Sequence, residues 1–199
     1  MWDERYQQGE LTYGAEPNEF LVDRVGLLRP GNCLCIAEGQ GRNAVWLAGQ
    51  GFSVTASDQS RIGMERARQL AERRGVTLQT EVADLTDFDL GQERWDNVVS
   101  IFGHLPSGLR RDVHRRVTEA LRPGGIFLLE AYTPEQLQTS GTGGPAESDM
   151  LLSLKTLTAE LPELEIVLGR EIVRDVNEGE FHKGEGAVVQ FVGRKPLEK

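Results

Sequence analysis

The chain has 199 residues, of which 39% are hydrophobic and 27% charged, a composition typical of one globular domain. Lys and Arg number 22 against 31 Asp and Glu, and the resulting formal net charge of −9 argues against a nucleic-acid partner. The charged N-terminus is followed by no apolar run, and no stretch of about 18 apolar residues occurs. We therefore expect a cytoplasmic protein with neither a signal peptide nor a membrane partner.

The two cysteines, Cys33 and Cys35, are predicted to be buried free thiols. Two residues apart on a strand, they point to the same face and cannot easily bridge each other. A metal site would need more ligands than these two residues supply, so no metal is expected. Free thiols are typical of a reducing compartment.

Apolar periodicity and turn residues predict alternating helices and strands through residue 131. Residues 1–30 are expected to form an N-terminal cap segment and residues 31–199 the core of a single domain. The predicted elements are a helix at 19–28, a strand at 33–36, a helix through 48, a strand at 52–58, a helix at 61–74, strands at 76–82 and 95–101, a helix at 109–121 and a strand at 126–131.

The pattern changes after residue 131. Residues 139–145 are rich in Gly, Ser and Thr and predict a loop, and leucines at helical spacing predict a helix over 151–161. Two runs rich in Val and Ile follow, at 166–176 and 187–194. The connection between them is too short for a helical crossover, so these last two strands are predicted to be antiparallel.

Acidic and imidazole side chains stand at the ends of the predicted parallel strands. Five alternating strands imply a mostly parallel sheet with helices on both faces, and right-handed crossovers place every strand end at one edge. Glu38, Asp58, Asp84 and His104 all fall at that edge. Because open α/β sheets bind ligands there, this edge is the predicted site.

A glycine turn, Glu38-Gly39-Gln40-Gly41, follows the first strand. Glycine permits the tight turn and a close ligand approach, and the N–H groups at the next helix start are expected to face that ligand. Gly39-x-Gly41-x-x-Ala44 also fits the dinucleotide fingerprint, so the motif alone leaves NAD and S-adenosylmethionine open. Three features favour S-adenosylmethionine. A carboxylate at Glu38 would repel a pyrophosphate but suits the ammonium of this cofactor, Asp84 is placed to meet an adenine amino group, and the chain ends with a β-hairpin.

Taken in order, four motifs and the terminal hairpin resemble the class I S-adenosylmethionine-dependent methyltransferase superfamily over essentially the whole chain. The motifs are Glu38-Gly39-Gln40-Gly41, Asp58, Ala83-Asp84-Leu85 and Leu121-Arg122-Pro123-Gly124-Gly125. The turn through Ala44 is most similar to the tellurite-resistance and thiopurine methyltransferase-like branch, although Asn43 replaces the usual third glycine. The resemblance implies an α/β, Rossmann-like, doubly wound, seven-stranded and mostly parallel sheet. It also implies a C-terminal antiparallel hairpin whose last strand is inserted into the sheet.

The resemblance places the cofactor around the glycine turn and the second strand. Glu38 is expected to hold the methionyl ammonium, or alternatively to cap the next helix. Gly39 and Gly41 allow the methionyl carboxylate and ribose to approach. Asp58, with Gln59 beside it, is expected to bind the ribose hydroxyls rather than to cap the following helix, since Gln59 or the next serine could cap it equally well.

The third and fourth strand ends complete the expected cofactor site. Asp84 is assigned to the adenine amino group and Leu85 to a backbone N–H contact, although the alternative is a polar loop start. Ile101 is assigned a backbone carbonyl contact to the ammonium, and Phe102 an apolar wall near the sulfonium. The alternative for this pair is ordinary core at a strand end.

Roles in acceptor binding and in a lid over the site are assigned to residues outside the cofactor motifs. His104 is interpreted either as a general base or acceptor contact, because its ordinary pKa is near neutral, or as a loop histidine bonded to backbone. Tyr6 and Tyr13 form either a lid or packing at the sheet edge, and His182 either contacts the acceptor or is an exposed turn residue. A basic cluster is interpreted as a solvated helix face rather than an acidic-substrate site: Arg110, Arg111, His114, Arg115 and Arg116.

The sequence therefore predicts methyl transfer from S-adenosylmethionine to a small-molecule acceptor by in-line displacement. The resemblance suggests a thiol or an oxyanion such as tellurite or selenite as the acceptor. A non-catalytic S-adenosylmethionine-binding protein and an NAD-binding reductase are the alternatives that remain open at this point.

Overall fold

A seven-stranded sheet forms the centre of the computed structural model, which describes residues 2–7, 12–179 and 182–197. The strands are β1 (Asn32–Ile36), β2 (Ser53–Asp58), β3 (Gln79–Val82), β4 (Trp95–Ile101), β5 (Leu121–Tyr132), β6 (Glu165–Asn177) and β7 (Lys183–Arg194). Their order is β3-β2-β1-β4-β5-β7-β6. Strands β1 to β5 run parallel, whereas β7 pairs antiparallel with both β5 and β6. The predicted fold class, including the inserted last strand, is confirmed.

Six α-helices surround this sheet in the described residues. They are α1 (Trp2–Gln7), α2 (Glu19–Arg24), α3 (Arg42–Gly49), α4 (Arg61–Arg74), α5 (Ser107–Ala120) and α6 (Leu154–Glu160). Strand residues alternate between the faces, so Leu34 packs with α5 and α6 whereas Cys33 and Cys35 pack with α2, α3 and α4. Both cysteines are buried free thiols, as predicted. None of these helices is long and apolar enough to cross a membrane.

Several element boundaries differ from the prediction. Strand β5 begins at Leu121, directly after α5, because Leu121 pairs with Trp95 before the register shifts between Trp95 and Asn97. Helix α6 begins three residues later than expected, since the Ser153 side chain caps it by accepting the Thr156 N–H. The two leucines before that cap are buried in extended backbone, where the Leu152 N–H donates to the Tyr132 carbonyl at 3.0 Å.

The last two strands are longer than their Val- and Ile-rich cores. Strand β7 begins at Lys183 rather than at 187, and its ladder with β6 continues through the pair Asn177 and Lys183. Glycines at 184 and 186 within this extension diluted the apolar signal on which the prediction depended. The longer ladder places His182, the residue before β7, beside the carboxyl ends of β4 and β5, at the predicted ligand edge.

Candidate cofactor and acceptor site

The glycine turn between β1 and α3 has a backbone that side chains would not tolerate. Gly39 and Gly41 have φ angles of 67° and 88°. A Cβ on Gly39 would lie 2.6 Å from the Tyr6 Oη, and one on Gly41 would lie 2.5 Å from the Ala67 Cβ. Glycine is therefore required at both positions by backbone conformation and by space.

The Glu38 carboxylate caps the N-terminus of α3. Its Oε1 accepts the N–H groups of Asn43 and Ala44 at 2.9 and 2.8 Å. The expectation that the N–H groups at this helix start face a ligand is wrong for these two. The reason is that Gly41, at the N-cap position, has no side chain to satisfy them, and the carboxylate at the strand end does so instead. Burial raises the pKa of Glu38 to about 7.

Asp58 holds the same turn from the end of β2. Its Oδ2 accepts the Gly39 N–H at 2.9 Å and its Oδ1 accepts the Ser60 N–H at 2.8 Å. The N-cap of α4 is Ser60, whose Oγ accepts the Gly63 N–H, so Asp58 is not the cap. Burial raises the pKa of Asp58 as well. Gln59, between them, is exposed.

The residues after β3 lie next to this carboxylate. The Ala83 N–H donates to the Asp58 carbonyl at 2.9 Å. Asp84 is exposed, and the Thr86 N–H that it accepts at 2.8 Å lowers the pKa of this carboxyl. Leu85 is buried in the apolar core. The structure thus brings one exposed carboxylate and one apolar side chain to the edge beyond β3.

The end of β4 carries an unusual backbone. Phe102 follows Ile101 with a φ of 54°, a left-handed conformation that is rare for a bulky residue and is found preferentially at functional sites. Its N–H donates to the Glu130 carbonyl at 2.8 Å, which ties the turn to β5. The Phe102 ring stacks on the ring of Tyr132, with centroids 4.6 Å apart.

Five rings meet beside this turn, and we call them the aromatic cluster: Tyr13, Phe102, His104, Tyr132 and His182. The His182 ring meets the Phe102 ring edge-on at 4.7 Å and the Tyr13 ring at 4.9 Å. His182 is therefore half-buried among rings, and its interpretation as an exposed turn residue is wrong. The reason is that β7 begins earlier than predicted and brings His182 next to the ends of β4 and β5.

Tyr132 is the cluster residue that the sequence interpretation missed. It is fully buried at the end of β5, where a tyrosine after an apolar strand looks like ordinary core. The available signal was its position, because β5 ends at the same edge as the other strands.

His104 is engaged by the backbone of β5. Its Nε2 accepts the Tyr132 N–H at 3.1 Å. Burial lowers the pKa of His104 to about 4, so the ring is neutral near pH 7. This geometry matches the interpretation of a loop histidine bonded to backbone.

The N-terminal segment packs over the glycine turn and forms hydrogen bonds next to it. Tyr6 is 4% exposed, and its hydroxyl lies against Gly39. Asp3, on the same helix, accepts hydrogen bonds from the Ser60 Oγ and, at 3.3 Å, from the Ile62 N–H. Thr12, after α1, also contacts the glycine turn, since its N–H donates to the Gln40 Oε1 at 2.7 Å.

A buried network of two carboxylates and two arginines lies behind the aromatic cluster. The Glu130 carboxylate accepts from Arg174 at 3.0 and 2.8 Å, and Glu178 accepts from Arg174 at 2.6 Å and from Arg42. The Asn18 amide donates to Glu130 at 2.6 Å and to Glu178 at 2.9 Å. Although burial disfavours its charge, the two arginines lower the pKa of Glu178. The network joins the N-terminal segment, α3, β5 and the hairpin.

The basic cluster on α5 is a solvated face only in part, since Arg111 and Arg115 are exposed. Arg110 and His114 are buried against Glu160 of α6, with a His114 Nδ1 to Glu160 Oε2 distance of 2.8 Å. Arg116 is half-buried and donates to the Phe88 carbonyl at 2.7 Å. The prediction is wrong for Arg110 and His114, because the apolar stripe of α5 did not reveal that a carboxylate from α6 would pack beside them.

In residues 2–7, 12–179 and 182–197, no group of three or more His, Cys, Asp and Glu could hold a metal ion. Residues 33–125 match a family described as "Methyltransferase domain". Over 81 residues the chain is 33% identical to the erythromycin 3''-O-methyltransferase of Saccharopolyspora erythraea, a match that covers 40% of this chain. That match spans 26% of the relative's own length.

Solved structures share the fold at low identity. One solved structure carries the description "Conversion of a Disulfide Bond into a Thioacetal Group during Echinomycin Biosynthesis". It has a TM-score of 0.77 at 21% sequence identity, and the match covers 100% of this chain and 91% of that chain. TehB from Haemophilus influenzae has a TM-score of 0.76 at 18% identity, and the match covers 98% of this chain and 67% of TehB. A methyltransferase from Methanosarcina mazei has a TM-score of 0.72 at 17% identity, covering 92% and 100%.

Residues 33–125 therefore match a methyltransferase domain, and the chain shares the fold of solved S-adenosylmethionine-dependent methyltransferases. The cofactor that this domain and its structural neighbours imply is S-adenosylmethionine.

Proposed function

We propose that this protein binds S-adenosylmethionine at the glycine turn and transfers the methyl group to a small-molecule acceptor at the aromatic cluster. The observation that carries the proposal is the pair of carboxyls, Glu38 and Asp58, that brace the turn from the ends of β1 and β2. Each has a raised pKa, so each would gain from a cationic or hydroxylic partner.

The donor set fits this cofactor. The Oε2 of Glu38 takes no part in capping α3 and would accept the methionyl ammonium. Asp58 would accept the ribose hydroxyls, with Gln59 at the rim, and the Ile101 carbonyl and Phe102 ring would line the methionyl end. Beyond β3, an exposed carboxylate and a backbone N–H would meet the adenine, from Asp84 and Leu85 respectively.

A dinucleotide fits the same turn less well. Pyrophosphates bind free N–H groups at a helix start, and here Glu38 already occupies those of Asn43 and Ala44. A pyrophosphate would also face the Glu38 charge. These two facts favour the methyl donor over NAD.

When bound, S-adenosylmethionine supplies a methyl group on a positively charged sulfur that is already a good leaving group. The residues then have to align the acceptor and exclude water, which can contribute roughly 7–11 kcal/mol in the best cases. Tyr6 and Tyr13 would exclude water as a lid. His104 would fix the end of β5 rather than move a proton, and His182 would contact the acceptor.

Two acceptor classes follow from the sequence resemblance, a thiol and an oxyanion such as tellurite or selenite. The structural neighbours include TehB and the protein described with the disulfide-to-thioacetal conversion, which supports testing both classes. Two buried free thiols fit a reducing compartment, and we place the protein in the cytoplasm.

Titration calorimetry with S-adenosylmethionine and S-adenosylhomocysteine, with NAD as control, tests the cofactor. We expect micromolar binding of the first two and none of NAD, and binding of NAD alone would overturn the assignment of Glu38. Release of S-adenosylhomocysteine with thiol and oxyanion acceptors tests turnover. Cofactor binding without turnover on any acceptor would favour a non-catalytic binding protein.

A further inference from the structure

Glu178 links the start of α3 to the hairpin of β6 and β7 through its side chain and its backbone. It follows β6 and is 6% exposed, and its Oε2 accepts a hydrogen bond from the Arg42 guanidinium. Arg42 is the first residue of α3, directly after the glycine turn. The Glu178 backbone N–H donates to the His182 carbonyl at 2.8 Å. One buried residue therefore joins the proposed cofactor turn to a residue of the aromatic cluster.

Glu130 makes the matching link to the end of β4. Its carboxylate is buried and accepts hydrogen bonds from Arg174 at 3.0 and 2.8 Å, and the same guanidinium donates to Glu178 at 2.6 Å. The Glu130 carbonyl accepts the N–H of Phe102, the residue with a left-handed φ, at 2.8 Å. The chain of ion pairs therefore extends from the glycine turn to the backbone that carries the Phe102 ring.

The charges of this chain balance one another. Arg42 and Arg174 oppose Glu130 and Glu178, so the four formal charges cancel. Although burial disfavours its charge, the two arginines lower the pKa of Glu178, which is therefore a carboxylate near pH 7. Replacing buried ion pairs by apolar residues is often neutral or stabilising, so stability alone does not account for such a chain. The remaining role for it is to specify a geometry.

We propose that Glu178 is a positioning residue for methyl transfer, which sets the distance between the glycine turn and the aromatic cluster. This inference rests on the proposed function and concerns the same site. The Glu178 carboxylate is held by two arginines and by Asn18, so it acts through the backbone that it fixes rather than by contact with the reactants.

The chemistry of the transfer explains why this distance matters. The acceptor atom gives an electron pair to the methyl carbon while the bond from that carbon to sulfur breaks. The electron pair of the broken bond stays on the sulfur of S-adenosylhomocysteine, and an acceptor proton passes to water. Such a displacement needs the reacting atoms about 3–3.5 Å apart and aligned, and a misplacement of about 1 Å can cost about 100-fold in rate.

Glu178→Gln tests the link, because Gln keeps the size of Glu178 and loses the charge that holds Arg42. We expect kcat to fall about 10- to 100-fold with benzyl mercaptan or tellurite as the acceptor and release of S-adenosylhomocysteine as the readout. The KM for S-adenosylmethionine should not change, because Glu178 does not belong to the proposed cofactor site.

Glu160→Gln is the matched control, because it breaks a buried ion pair between α5 and α6. The side chains of Glu160 and Glu178 are 6% and 5% exposed, so the two substitutions remove equally buried charges. Both variants should lower the melting temperature by similar amounts, whereas kcat should fall only in Glu178→Gln. A purely structural role for Glu178 would not produce this difference.

A distance measurement tests the link without an acceptor. Gln50, at the end of α3, and Asp175, on β6, are exposed and can be replaced by cysteines that carry nitroxide labels. The two native cysteines are buried and should not be labelled. Double electron–electron resonance should give one narrow distance distribution in the labelled wild type and in Glu160→Gln. In Glu178→Gln the distribution should broaden or shift.

Three results would overturn the inference: an unchanged distance distribution in Glu178→Gln, an unchanged kcat in this variant, or an equal fall of kcat in Glu160→Gln. If neither acceptor reacts with the wild type, the distance distribution decides. The proposed function fails separately, by the absence of S-adenosylmethionine binding in the wild type. If Glu178→Gln does not fold, Arg42→Met breaks the same ion pair from the other side, and Arg42→Lys, which restores the cation, should recover most of kcat.

Discussion

Replacing Glu38 by Gln should separate cofactor binding from helix capping. The amide oxygen of Gln can accept the same two N–H groups, from Asn43 and Ala44, so the start of α3 is preserved and only the charge is lost. The free energy of unfolding should then stay close to that of the wild type. Glu38→Ala, which removes the cap as well, should lower it by about 1 kcal/mol. Both variants should lose most of their affinity for S-adenosylmethionine.

The same carboxyl predicts how affinity depends on pH. With a pKa of about 7 in the free protein, Glu38 is charged in about a tenth of molecules at pH 6.0 and about seven-tenths at pH 7.4. Because the charged form binds the ammonium, the affinity for S-adenosylmethionine should rise roughly eightfold over this interval. The α-amino group of the ligand, with an ordinary pKa of about 7.7–8.0, stays mostly protonated over it.

Calorimetry at constant ionic strength measures this dependence directly. The wild type should show the rise, and Glu38→Gln should be weak and independent of pH. A flat wild-type profile, or the same rise in Glu38→Gln, would refute the assignment of Glu38. Since its folded pKa exceeds the unfolded value of 4.5, this group should also stabilise the ligand-free protein most below pH 4.5 and lose that contribution as pH rises through 7.

Three further predictions test the surrounding residues. Asp58→Asn should weaken S-adenosylmethionine binding about 10- to 100-fold in calorimetry with an unchanged circular dichroism spectrum, and wild-type affinity would contradict the ribose assignment. Arg174→Met leaves Glu130 and Glu178 without their shared cation and should lower the free energy of unfolding in urea by about 3–5 kcal/mol. Arg115→Met is the matched control, because the ion pairs of Arg115 are exposed, and it should lower the free energy of unfolding much less. Equal losses in the two variants would show that the buried network stabilises the protein no more than exposed ion pairs do. His104→Ala leaves the Tyr132 N–H without its acceptor and should cost about 1–3 kcal/mol. Since the pKa of His104 is about 4, the wild-type profile of kcat against pH should show no inflection from this ring between pH 5.5 and 7.5, and an inflection lost in the variant would instead identify a general base.

Local patterns in the sequence determined the fold and placed the residues of the proposed cofactor site. Alternating apolar runs and helical stripes predict the parallel strands and the helices between them, because each element needs one or two buried faces. Parallel strands end at one edge, so a carboxylate after a strand can be placed at the ligand edge from sequence alone. Glu38 and Asp58 were found in this way.

The aromatic cluster and the buried network behind it depend on tertiary structure. Asn18 and Glu130 are 112 residues apart in the chain, and Asn18 and Glu178 are 160 apart, yet their side chains share hydrogen bonds. Tyr132 and His182 meet only because β7 is inserted beside β5 and brings the hairpin over the strand ends. Periodicity reports which face of an element is buried, but not which distant side chain lies against it. The contact between these two rings therefore becomes visible only when the chain is folded.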